Sequence, residues 1–293
     1  MDTKQAFEDM PVAKAVLVNA VPAVLSMLVT LVYNVADTFF IGQTGDEMQV
    51  VAVSLATPVF LFFMAIGTLF GMGGTSVISR AFGEEKEDFA RTAGSFCFWM
   101  SILTGILCIL VFLPGMDYIL RWIGASGNTE GYARAYLSYV AWSAPFVIVS
   151  TAFSNIVRAE GKSTEAMNGV LIGTILNIVL DPLFILWLGY GIAGAAWATV
   201  IAQAVSGIGL CFYSLYRFPD FRISRQNMQL KWATVKEIAT YSSLTCAQQS
   251  VMNFGILMVQ GLINSFGTAV MAGFAAAVKI DSFAYMPVQD FGN

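Results

Sequence analysis

The sequence predicts an all-α, polytopic membrane protein: a six-helix bundle followed by about one and a half to two helices of a second bundle. Three observations carry this. Hydrophobic residues make up 57% of the 293 and charged residues only 12%, whereas soluble domains run to about 25% charged. Apolar runs long enough to cross a bilayer recur along the whole chain. Lys and Arg gather on alternate connections between those runs.

A helix rises about 1.5 Å per residue, so a hydrocarbon core of about 30 Å takes roughly 20 apolar residues. By that measure, spans fall at residues 11–41, 49–81, 91–113, 132–157, 163–188, 192–216 and 235–266, with an eighth starting near 268. The connections are short and carry turn residues, as in Gly42-Gln43-Thr44-Gly45-Asp46 and Gly83-Glu84-Glu85-Lys86. No soluble domain fits between the spans. The first ten residues mix Asp2, Lys4, Glu8 and Asp9, unlike the basic start of a cleaved signal peptide, so the first span is expected to be retained.

Basic residues near short loops resist translocation, and they fix the orientation. With the N-terminus in the cytoplasm, the inner segments hold Lys4, Lys14, Arg80, Lys86, Arg91, Arg158, Lys162, Arg217, Arg222, Arg225, Lys231 and Lys236. The outer segments hold Arg121 and Arg134, and the fifteenth basic residue, Lys279, lies in the eighth run. The longest polar segment therefore lies inside. It divides the chain into a first lobe at 11–216, a linker at 217–234, and the start of a second lobe at 235–293. Spans one and seven would then enter the membrane in the same direction, as parallel repeats do.

Composition also excludes chemistry. Net charge is -4 with no long basic block, so no nucleic-acid surface is expected. Histidine is absent, which leaves carboxylates for any proton chemistry near neutral pH. Cys97, Cys108, Cys211 and Cys246 all sit in apolar runs without a CxxC pair and read as buried, inert thiols.

Polar side chains at membrane depth are costly unless a partner or a water-filled cavity satisfies them, so each is a functional candidate. Asp37 falls late in span one, with Asn34 one turn earlier. In span five, Asn177 and Asp181 are four apart and share a helix face. Pro182 follows directly; it cannot donate a backbone hydrogen bond and weakens the helix before it. Pro22, in mid span one, loosens that helix likewise. Asn155 near the inner end of span four, and Thr199 with Gln203 on one face of span six, are uncharged candidates for the same interior. Each has a plainer reading as a helix-end residue, a kink or an interhelical hydrogen bond. Gly67, Gly71, Gly73 and Gly74, like Gly169 and Gly173, have the small-residue spacing that lets helices approach closely.

Several stretches resemble one known family. Tyr33-Asn34-Val35-Ala36-Asp37-Thr38-Phe39-Phe40-Ile41-Gly42, then Val53-Ser54-Leu55-Ala56-Thr57-Pro58, and Gly71-Met72-Gly73-Gly74-Thr75-Ser76-Val77-Ile78-Ser79-Arg80-Ala81-Phe82-Gly83 are similar to the first two helices of multidrug and toxin extrusion (MATE) transporters. Arg158-Ala159-Glu160-Gly161-Lys162 and Leu176-Asn177-Ile178-Val179-Leu180-Asp181-Pro182 resemble the helix four to five region of the same family. The resemblance covers essentially the whole chain. It implies twelve helices in two lobes and a multi-pass protein of a prokaryotic inner membrane. The implied activity is export of cationic or amphipathic compounds in exchange for protons or sodium ions, with no cofactor and no enzymatic step.

In the branch resembling DNA-damage-inducible relatives, the implied site residues are Asp37, Asn155, Asn177, Asp181 and Thr199. A sodium ion would sit at Asp37, Asn177 and Asp181, and bending at Pro22 would couple its binding to that of drug. Relatives that use an acidic residue in helix seven would want Glu near Gln248 or Gln249, which this chain lacks. Family members are longer, so the sequence is expected to be incomplete, with the remaining helices of the second lobe as a partner.

Three other readings stand beside this one. A lipid-linked oligosaccharide flippase of the same superfamily would place basic residues in its central cavity, and no Lys or Arg falls mid-span in the first six helices. An intramembrane aspartyl protease would carry Tyr-Asp and Gly-x-Gly-Asp, and neither occurs. An inactive membrane protein that only binds membrane partners is the third.

Overall fold

A computed structural model describes residues 11–123, 125, 129–159, 162–217 and 235–244, with isolated positions beyond at 247, 248, 251, 255, 259, 277 and 281. Helices α1 (Val12–Gly42), α2 (Glu47–Gly83), α3 (Glu87–Phe112), α4 (Met116–Trp122), α5 (Glu130–Ala159), α6 (Ser163–Pro182) and α7 (Gly191–Arg217) follow in order. Residues 235–244 are again helical. No strand occurs among the described residues. Five helices are long and apolar enough to cross a membrane, and α1, 31 residues long, contains the shorter apolar segment Ala20–Thr30. The chain is a multi-pass membrane protein. The predicted 217–234 linker and eighth span lie outside the described residues, apart from a few positions.

Two elements depart from the sequence reading. The connection after span three contains the short helix α4, whose Met116 and Leu120 are buried. Arg134 of α5 ties it down by pairing with Asp117, while Glu130 lies 3.3 Å from the same guanidinium. Span five does not stay α-helical to its end. After Pro182 the backbone widens into a π-helical turn, Leu183–Trp187, closed by the Leu188 N–H donating to Leu183 O at 2.9 Å. A proline cannot supply the next α-type donor, and a wider turn is one way to continue without it.

The central element is α5, the most buried of the five spans. It packs against α2, α3, α6 and α7. The close approaches are made by missing side chains: a Cβ on Gly67 would sit 2.7 Å from Thr151 Cβ, and one on Gly71 would sit 2.9 Å from Asn155 Cβ. On α6, Ile172, Ile175 and Val179 are exposed while Thr174, Asn177 and Asp181 are buried. One helix thus shows lipid an apolar face and turns its polar face inward.

The two ends of the bundle differ. At the end carrying the α1–α2 connection, Trp122 is 94% exposed and Trp187 85%, as expected of aromatics at a membrane interface. At the α2–α3 end, residues 235–244 lie on α2. Ser242 Oγ donates to Leu69 O at 2.9 Å, the Arg80 guanidinium stands 4.8 Å over the Tyr241 ring, and Ile238 joins Val77, Ile78, Ala90, Cys97 and Ile156 in one apolar cluster. Cys97, Cys108 and Cys211 are free and buried.

Candidate functional site

Toward the α1–α2 end, four helices bring polar side chains together inside the bundle. Asp37 of α1 is 8% exposed, Asn177 and Asp181 of α6 are 1% and 0%, and Thr199 of α7 is 4%. The i, i+4 spacing on α6 sets Asn177 and Asp181 one turn apart on the inward face. With the Asn177 amide turned to satisfy both of its ends, its nitrogen donates to Asp181 Oδ2 at 3.0 Å and its oxygen accepts from the Thr199 backbone N–H at 3.2 Å. One amide thereby joins the carboxylate to the neighbouring helix.

Asp37 and Asp181 lie within electrostatic reach of each other. Each has one carboxylate oxygen, Oδ1, that is fully buried and meets no protein donor. A buried acceptor without a partner costs about 1–3 kcal/mol, more when it is charged. Two such oxygens in one pocket are therefore a standing demand for a proton or a cation.

Two tyrosines complete the cluster, and sequence reasoning did not single out either. Tyr33 hydrogen-bonds through its hydroxyl to the Thr199 side chain and stands close to both aspartates. The signal was available, because Tyr33 precedes Asp37 by four residues and shares its face. Tyr136 of α5, 7% exposed, faces Asp37, Tyr33 and Asp181. Only tertiary packing brings it there.

The remaining expected residues are placed elsewhere. Asn155 donates to Thr151 O at 3.1 Å on its own helix and sits where α5 crosses Gly71 of α2. Along α5 it lies 19 residues beyond Tyr136, about 28 Å at 1.5 Å per residue, so the structure does not bring it to the aspartates. The side chain of Asn34 lies outside the described residues. Pro22 is buried within an unbroken α1, where Ser26 Oγ donates to its carbonyl at 2.8 Å. Pro182 directly follows Asp181 and opens the π turn. A separate crevice of about 790 Å³, lined by Arg80, Glu84, Lys86, Asp88, Arg91 and Glu237 among others, opens at the opposite end of the bundle. Its charges are mixed and largely paired, as in Lys86 Nζ to Glu84 Oε2 at 2.7 Å.

Comparison with known proteins gives the family and the fold. The chain is 28% identical over 277 residues to "Multidrug export protein MepA" of Staphylococcus haemolyticus, covering 94% of this chain and 61% of that protein. It is 29% identical over 280 residues to the protein of the same name from Staphylococcus aureus, again covering 61% of it. The chain thus spans about three-fifths of the length of these relatives. Among solved structures it is similar to a multidrug resistance MATE family transporter of the MOP superfamily in an outward-facing conformation, at 26% identity and TM-score 0.84, covering 99% of this chain and 63% of that one. A MOP superfamily transporter from Pyrococcus furiosus, described as having a binding pocket of reverse polarity, is similar at 25% identity and TM-score 0.86, with the same coverage. The MatE family model matches residues 22–183, more than half of the chain and the stretch that holds Asp37, Asn177 and Asp181, so this protein belongs to the MatE family.

Proposed function

We propose that the chain is the first lobe and the start of the second lobe of a secondary antiporter that exports cationic or amphipathic compounds in exchange for protons or sodium ions. The observation that carries this reading is the buried pair Asp37 and Asp181, each with an unpartnered oxygen inside a membrane bundle. The names of the relatives support it. In this reading residues 11–216 form the first lobe, 217–234 the linker and 235–293 the start of the second, with the N-terminus in the cytoplasm and the α1–α2 end facing out. Transport belongs to the whole protein, since alternating access needs two lobes moving about a central site.

The donor set fits a small hard ion. Two carboxylates with amide, hydroxyl and phenol oxygens suit a proton or sodium, and no group of three or more His, Cys, Asp or Glu side chains placed to hold a metal ion occurs among the described residues. No basic side chain joins the described cluster, which favours a cationic ligand over the anionic headgroup of a flippase. Occupation of the pair by the coupling ion removes the negative charge that attracts a cationic drug, so ion and drug exclude each other. Bending of α1 at Pro22 and yielding of the π turn after Pro182 are the motions through which that exclusion reaches the rest of the bundle.

Expressed at full length in a drug-sensitive bacterial host, the protein should lower ethidium accumulation several-fold in energised cells. A proton ionophore abolishes the difference if protons drive export, and sodium removal does so if sodium does. Accumulation equal to the vector control overturns the proposal. A second prediction concerns the amide. Asn177→Leu keeps the branched shape but strips Asp181 of its donor, and loss of a hydrogen bond to a charged group is worth about 1.5–3 kcal/mol. Ethidium binding, measured by fluorescence titration, should weaken by about tenfold or more.

A further inference from the structure

At the α1–α2 end, one turn or two beyond the carboxylates, a second polar network joins the α1–α2 connection to α2, α5 and α7. Gln49, in the first turn of α2, accepts from the Ile192 N–H through Oε1 at 2.9 Å, and its Nε2 stands 3.4 Å from Asp46 Oδ2. Asp46 in turn hydrogen-bonds Tyr132 of α5. The α1–α2 connection that carries Asp46 is folded for this: Thr44 Oγ1 donates to Ile41 O at 2.8 Å and Gly45 has φ +72°. Gly191 has φ +52°, and a Cβ there would lie 2.9 Å from Gln49 Oε1. Any side chain at 191 would be strained and would also push the amide away.

The register of these residues ties them to the site. Tyr132 lies one turn before Tyr136 on the same face of α5, and Ile192 lies two turns before Thr199 on the same face of α7. Asp46 follows Asp37 by nine residues, just past the end of α1. Apart from α2, which carries Gln49, each helix the network reaches therefore delivers a side chain of the aspartate cluster within about two and a half turns of the clasp. A helix start needs its free N–H groups satisfied, but a local cap would serve that need without reaching across from another span.

We infer that Gln49, Asp46 and Tyr132 form a clasp that positions α1, α5 and α7 over the paired aspartates. Gln49 is its pivot and acts on the site only through those helices. The consequence for ligand rests on the transport reading, whereas the mechanical coupling does not.

The test uses the full-length protein in lipid nanodiscs, with Gln49→Ala, Tyr132→Phe and the double variant. Tyr132→Phe removes one hydroxyl and keeps the ring, so folding is preserved. Backbone hydrogen exchange is followed by mass spectrometry in segments 37–46, 130–136 and 191–199, beside fluorescence titration with ethidium. Each single variant should raise exchange in all three segments and weaken ethidium binding by about fivefold, the effect of one modest hydrogen bond. The double variant should do little more than either, because both open one connected network. Faster exchange confined to the helix that carries the substitution, additive effects, or unaltered ethidium binding in the variants would each overturn the clasp as a positioning device. If the wild-type protein does not bind ethidium, the transport reading fails, and the exchange pattern alone still decides whether the three helices are coupled.

Discussion

Asp37→Asn is expected to reduce ethidium export by the full-length protein on the order of a hundredfold, to the vector background, while leaving the protein folded. The substitution keeps the shape of the side chain and removes its charge and its ability to exchange a proton. The two carboxylates repel each other, so neutralising one does not unbalance a salt bridge; what is lost is the group that exchanges a proton or holds the cation, and the loss falls on function. Folding itself gains nothing from an unpartnered buried carboxylate oxygen. Thermal melting of the purified variant should therefore match or exceed that of the parent. Asp181→Asn should act in the same direction, and the double variant should be little worse than either, because residues working as one unit are not additive. Retained export by Asp37→Asn, or a lowered melting temperature that accounts for the loss, would remove the paired aspartates from the mechanism.

Much of this site was legible in the sequence, for reasons that differ by residue. Asn177 and Asp181 announce themselves, since two polar side chains four apart in an apolar run can only share one inward face. Asp37 stands out because an acid late in a span has few inexpensive places to go. Tyr33 and Tyr136 escaped because an aromatic residue is unremarkable in a membrane helix, and only packing of α1 against α6 and of α5 against its neighbours turns their hydroxyls on the aspartates. Asn155 illustrates the opposite hazard. Its polarity was visible, and so was its place near the inner end of span four; the family resemblance grouped it with the aspartates, whereas 19 residues of helix separate it from Tyr136. The clasp was invisible for a related reason: Gln49 lies in the opening turn of a span, where polar residues are expected, and its partner is a backbone N–H 143 positions away. The spans themselves were clear because length and hydropathy are local properties. The π turn and α4 depend on what a proline and an Arg134 find nearby.

Gly105→Ala should be the most destabilising single-methyl change among the described glycines of the bundle. A Cβ on Gly105 of α3 would lie 2.4 Å from Pro145 Cα and 2.9 Å from the Pro145 nitrogen, so it meets backbone rather than a movable side chain. Pro145 is itself inside α5, and its ring limits how that helix can bend away. Relief has to come from separating α3 and α5, which loosens contacts along the central helix. Overpacking of this kind costs about 1–3 kcal/mol, occasionally more, and in a protein of this size that corresponds to a melting temperature lower by roughly 2–6 °C. The comparison that isolates the cause is Gly209→Ala on α7, where an added Cβ meets nothing within 4 Å. There the gain in helix propensity, up to about 1 kcal/mol, should leave the melting temperature unchanged or raise it. Thermal unfolding of the two variants in one detergent separates the outcomes, since equal shifts would mean that helix packing at Gly105 yields without cost. The opposite signs follow from one fact about membrane bundles: with no water to expel between helices, stability rests on how closely backbones can approach, and Gly105 is where two of them touch.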